Sequence, residues 1–77
     1  MKSTTEQMGS RLANVRAESG QSITGFAMML SVSPESYASY EDGAAEMPFA
    51  FLRRLHEIHD VNPAWLMAGE GNKYDAA

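Results

Sequence analysis

The residues best suited to chemistry stand close together at His56, Glu57, His59 and Asp60. A helical zinc pair needs histidines at i and i+4 with a glutamate as base. Here the spacing is i, i+3, with no third ligand in the pattern. That spacing argues against a metal, and helix-surface or core-edge imidazoles are the ordinary reading. Serines are numerous, but the prominent ones precede helical patterns, where a hydroxyl caps a helix, and neither histidine fits a nucleophile arrangement. Gly69-Glu70-Gly71 follows a helical pattern rather than a strand, so it is not a phosphate cradle. The chain has no cysteine, which excludes disulfides, thiolate ligands and a thiol nucleophile, and fits a reducing cytoplasm. The expectation is a non-enzymatic protein without cofactor, metal or small-molecule ligand.

Charge narrows the partners. Six lysines and arginines face ten acidic residues, for a formal net charge of −4. A loose polyanion binder should be basic, so this balance argues against unspecific attraction to nucleic acid. No apolar run approaches the roughly 18 residues that a membrane span requires. The opening MKSTTEQM has no apolar stretch and does not read as a signal peptide. With 77 residues and 44% hydrophobic content, one small core in one domain is the expectation.

The elements that would position these residues are helical throughout. Ser3 and Glu6 form a capping-box candidate. Met8, Leu12 and Val15 then recur as one amphipathic stripe that stops at Gly20, with Gly9 placing the start nearer Ser10. Ser22 caps a short helix carrying Phe26, Ala27 and Leu30. After Ser31-Val32-Ser33, the Ser33-Pro34 pair opens a third helix running to about Asp42, ended by Gly43. Pro48 opens a fourth, with Leu52, Leu55 and His59 on one stripe and Phe51 and Ile58 beside it. Asn62-Pro63 opens the last, holding Trp65 and Leu66 and stopped by Gly69. No alternating run is long enough for a strand. The spacing predicts an N-terminal segment over 1–7, a single all-α domain over 8–69 built as a compact five-helix bundle, and a polar tail over 70–77.

The segment 22–43 is the most specific part. Two helices joined by so tight a turn cross steeply, as in a helix-turn-helix. Tyr37, Tyr40 and Glu41 share the inward face of the second helix, and Glu35, Ser36 and Ser39 the outer one.

Arg16, Gly20, Phe26-Ala27, Val32-Ser33, Tyr40-Glu41-Asp42-Gly43 and Trp65-Leu66 with Gly69-Glu70-Gly71 together resemble the lambda-repressor and Cro group of helix-turn-helix regulators. The resemblance spans about Gly9 to Gly71, and the ending Asn62 to Gly71 is similar to phage and prophage repressors. It implies that the helix over 34–42 is a recognition helix laid in the major groove of an operator. Pro34, Glu35, Ser36 and Ser39 match its base-reading positions, with Glu35, Ser36 and Ser39 as the readers. No bidentate reader stands among them: the serines can contact several bases, and Glu35 can accept from cytosine N4. Backbone contacts are expected from Ser22, Ile23, Ser33 and Pro34, and from Arg11, Arg53 and Arg54. The sequence departs from the group at Ile23, where a glutamine is frequent, and at Ala44-Ala45-Glu46-Met47, where the loop is commonly basic.

The resemblance further implies that Arg16 and Glu41 form a salt bridge between the first and third helices. A homodimer is expected through the last helix and tail, with Met67 and Tyr74 as contacts. Trp65 closes the core over the first helix in the preferred reading, and Tyr37 and Tyr40 belong to the core. Met28, Met29, Met47 and Met67 fill core gaps or form a soft surface, and the sequence does not decide between these. Two functions stand side by side. One is a sequence-specific DNA-binding transcriptional regulator of phage, prophage or plasmid type. The alternative is the same fold repurposed as an antirepressor-like module that binds a protein partner.

Overall fold

The computed structural model describes residues 4–75. Five helices follow in chain order: α1 (Thr4–Ser19), α2 (Ile23–Met29), α3 (Pro34–Glu41), α4 (Phe49–His59) and α5 (Pro63–Ala68). Side chains cap three of them. Ser22 accepts from the Gly25 N–H, Ser33 from Ser36, and Asn62 from Ala64, each satisfying one of the amides a helix start leaves orphaned. Gly43 and Gly69 turn the chain after α3 and α5 at φ of 73° and 75°, a region that costs glycine little. Pro48 stands just before α4 and gives it no side-chain cap.

Phe26, Leu12, Leu30, Tyr37, Phe51, Leu55, Val61 and Leu66 are fully buried and form one core with Val15, Ala27 and Tyr40. Its rings pack edge to face or tilted, Phe26 against Tyr37 at 5.6 Å and Tyr40 against Phe51 at 4.9 Å, geometries that suit their quadrupoles. Trp65 packs on the rim of this core, as do Met47 and Leu52.

One expectation needs correction. Helix α1 begins at Thr4 rather than near Ser10, with Gly9 buried inside it. A Cβ on Gly9 would meet the carbonyl oxygens of Glu41 and, at 2.6 Å, Tyr40. The glycine therefore lets α1 lie against the end of α3, and that packing outweighs its poor helix propensity. Ser3, the proposed capping-box residue, lies outside the described residues, as does Lys2.

The described segment after Gly71 docks on the helices. Val61 and Tyr74 form an isolated antiparallel bridge, flanked by Asn62 N–H to Lys73 O at 2.9 Å and Asp75 N–H to Asp60 O at 2.7 Å. Lys73 Nζ donates to Asn14 and Glu18 at 2.6 Å, and the Tyr74 hydroxyl donates to Glu18 at 2.7 Å. Partial burial and the Glu18 carboxylate push the Tyr74 hydroxyl up to about 12. The tail thereby ties α1 to the end of the chain. No described helix is long and apolar enough to cross a membrane.

Candidate nucleic-acid interface

Helix α2 (Ile23–Met29) and α3 (Pro34–Glu41) are joined by a short turn and pack against each other. The turn closes through Leu30 N–H to Phe26 O and Val32 N–H to Ala27 O, with Ser31 at φ 60°. Phe26, Ala27, Leu30, Tyr37 and Tyr40 hold the corner from inside. Outside, Pro34, Glu35 and Ser36 are exposed and Ser39 is half-buried. The start of α3 thus stands free while its end is packed against α1.

The outer hydroxyls are already oriented. Ser39 Oγ donates to the Glu35 carbonyl at 3.1 Å. Ser33 Oγ accepts the Ser36 N–H at 3.1 Å and donates to Ser36 Oγ at 3.0 Å. Helix α3 carries no cation, and Asp42 and Glu46 follow it as exposed acids.

At the inner side of α3, Arg16 and Glu41 pair through Nε to Oε2 at 2.6 Å and Nη2 to Oε1 at 3.3 Å. Arg16 Nη1 also donates to the Gln21 carbonyl at 3.1 Å, so one guanidinium joins α1, the start of α2 and the end of α3. The Glu41 hydrogen bond holds the guanidinium even more firmly protonated than usual. Next to this pair, burial raises the Tyr37 hydroxyl well above its ordinary range, with Glu41 adding to the shift.

The other cations are engaged too. Arg11 Nη1 donates to Leu66 O at 3.1 Å, securing the end of α5. Arg54 Nη1 reaches Leu30 O in the turn at 3.4 Å. Arg53 pairs with Glu57 at 2.9 Å on the solvent side of α4. With Lys73 on Glu18, each described arginine and lysine donates to an acceptor within the chain. Ile23, at the start of α2, is partly exposed, and Met28 is 70% exposed.

The two histidines have separate places. His56 Nδ1 lies 3.3 Å from Val61 O, which only accepts, so this nitrogen carries the proton. His59 stacks on Phe26 at 4.7 Å, and burial lowers its pKa, partly opposed by Asp60. Among the described residues, no three histidine or acidic side chains gather in a way that could hold a metal.

The methionines divide. Met47 packs on the core, while Met28, Met29 and Met67 are exposed. Met67 lines an apolar groove of 510 Å³ with Met47, Phe49, Leu52, His56 and Pro63, and Arg53 at its edge. Tyr74 stands elsewhere, on α1 through Glu18.

Sequence reasoning missed three positions that shape this corner. Gly9 sets the approach of α1 to α3, and its place on the same stripe face as Leu12 and Val15 was the available signal. Ser31 bears the left-handed turn conformation, where glycine would be the usual cue. Phe49, 70% exposed on the groove, follows Pro48 as a large apolar residue on the first turn of an amphipathic helix.

A family model described as a helix-turn-helix domain matches residues 7–66. No curated relative matches, and neither does any solved structure. The matched span runs from α1 through most of α5 and covers well over half of the chain. This protein belongs to the helix-turn-helix domain family.

Proposed function

We propose that this protein is a sequence-specific DNA-binding transcriptional regulator of phage, prophage or plasmid type. It acts in the bacterial cytoplasm and lays α3 in the major groove of an operator. The observation that carries the reading is the free start of α3, with Glu35 and Ser36 exposed, held out by α2 in a chain of the helix-turn-helix family. Glu35, Ser36 and Ser39 then face base edges, while the α2 and α3 starts at Ser22, Ile23, Ser33 and Pro34 flank the backbone.

Arg53 and Arg54 are the phosphate contacts in this reading. The Arg53–Glu57 pair is 72% and 57% exposed, and such pairs contribute little, so exchanging Glu57 for a phosphate costs little. Arg54 already sits at the α2–α3 turn. Arg11, holding Leu66 O, contributes less. Three short side chains give limited discrimination alone, which favours a homodimer reading two half-sites about 34–36 Å apart. Met67 and the Phe49 groove are the dimer surface of this reading, while Tyr74, the other expected contact, stands apart on α1 through Glu18.

The test is a gel-shift with duplex DNA flanking the protein's own gene, at low salt. A discrete complex competed by unlabelled cognate but not by unrelated duplex supports the reading. The second reading, a protein-binding module, is favoured by the internal engagement of every described cation and by the acidic surroundings of α3. Absence of any DNA complex, with capture of a partner repressor abolished by α3 variants, would establish that reading instead.

A further inference from the structure

The reading face of α3 is rich in acceptors and poor in donors. The Glu35 carboxylate can only accept when ionised, and it accepts nothing within the described residues. Ser39 has turned its single hydroxyl proton back onto the Glu35 carbonyl at 3.1 Å, so its lone pairs are what remain for a ligand. Ser36 receives the Ser33 proton at 3.0 Å and keeps its own, which is the one side-chain donor left on the face. Arginine, lysine, asparagine and glutamine are absent from Pro34 to Glu41. Guanine displays only acceptors, O6 and N7, to the major groove, and its usual protein contact is two-pronged. A single serine hydroxyl cannot supply both prongs.

We infer that the operator of this protein is read through exocyclic base amines, cytosine N4 at Glu35 and a second cytosine or adenine amine at Ser39. The inference rests on the proposed DNA-binding function and specifies the chemistry of its target. The two acceptors stand four residues apart, about 6 Å along the helix at about 1.5 Å per residue. Base pairs are stacked about 3.4 Å apart, so the two amines belong to base pairs one or two steps from each other. The carboxylate lowers total affinity by repelling phosphates, and in return it rejects guanine and thymine at its position, because acceptor would face acceptor.

The experiment is selection of duplexes from a randomised library by the full chain, and by Glu35→Gln and Ser39→Ala. The parent is expected to enrich a half-site with an invariant cytosine. Glu35→Gln should move that position to adenine, whose N6 and N7 suit an amide, with a reversal of preference of roughly 5- to 150-fold. Ser39→Ala should relax one position one or two steps away. Replacing the guanine opposite the invariant cytosine by 7-deazaguanine should leave the parent's affinity unchanged, since guanine N7 is not contacted. Glu35 is exposed, so the variant should melt with the parent; the 7-deazaguanine arm needs no variant at all. A motif that Glu35→Gln leaves unchanged, or a tenfold loss with 7-deazaguanine, overturns the inference while leaving the protein a DNA-binding regulator. Duplex binding with no enriched sequence overturns the inference and the sequence specificity of the proposed function together, leaving only DNA binding. No retention of any duplex at low salt overturns the functional reading itself, and the inference with it.

Discussion

Removing Glu41 tests the brace between α1 and the end of α3. Its carboxylate takes two bonds from Arg16, at 2.6 and 3.3 Å, and the side chains are only 10% and 24% exposed. Breaking a fully buried pair from one side costs about 3–5 kcal/mol, mostly because the remaining charge is left without compensation. Arg16 keeps the Gln21 carbonyl and some water, so Glu41→Gln should cost less, about 2–3 kcal/mol. For a chain of this size the whole stability is of the order of 4–12 kcal/mol. At roughly 4–8 °C per kcal/mol, the midpoint should fall by about 8–24 °C. Arg16→Met should fall comparably, and the double variant should lose much less than the sum, because two neutral groups replace two charges. Arg53→Met is the control: its exposed partner at i+4 is worth about 0.3–0.5 kcal/mol. Thermal melts followed by circular dichroism give all four values. If Glu41→Gln melts within a degree or two of Arg53→Met, the pair is only a surface charge contact and the reasoning fails.

Four further outcomes follow from particular contacts. Burial keeps His59 neutral below its ordinary pKa of 6.5, so protonation favours the unfolded chain: stability is full above about pH 6.5 and declines as pH falls below it. A pH series of melts should show this decline, and His59→Leu should flatten it above about pH 4.5, below which the depressed Glu18 carboxyl adds a loss of its own. Gly9→Ala should lower stability by about 1–3 kcal/mol despite alanine's better propensity, since its Cβ meets backbone carbonyls; a rise in denaturation midpoint would contradict the close approach. Ser31→Gly relieves a left-handed serine and should stabilise by about 0.5–1 kcal/mol once the entropy of unfolded glycine is subtracted, visible as a midpoint a few degrees higher. With Arg53 and Arg54 as phosphate contacts in each protomer of a dimer, the log–log salt slope of operator binding should be near about −3.6, and a slope beyond about −7 would need even Arg16, which Glu41 holds, to reach a phosphate.

Helix positions were legible because their signals are local. Ser22, Ser33-Pro34, Asn62-Pro63, Gly43 and Gly69 act through their own backbone neighbours, and α2, α3 and α5 lie where these residues place them. The inward faces were legible for a related reason, since Tyr37, Tyr40, Leu12 and Leu55 follow helical periodicity and are buried. What the sequence hid depends on which helix meets which. Gly9 reads locally as a weak helix residue and becomes a point of close approach only once α3 lies across it. Arg11 and Arg54 read as free cations until Leu66 and Leu30 bring carbonyls to them. The docking of the polar tail was not legible, because nothing local marks Val61 as its pairing partner. On the candidate site, the outer position of Glu35, Ser36 and Ser39 could be read from spacing, whereas the inward turn of the Ser39 proton needed the coordinates of the Glu35 carbonyl.

The central claim is that α3 meets DNA, and amide chemical shifts during a titration with a selected operator duplex test it most directly. The account predicts the largest changes at Ser22–Gly25 and Ser33–Ser36, the starts of α2 and α3, with smaller changes around Arg53 and Arg54. Shifts confined to the groove of Phe49 and Met67, or no shifts at all with saturating duplex at low salt, would contradict it.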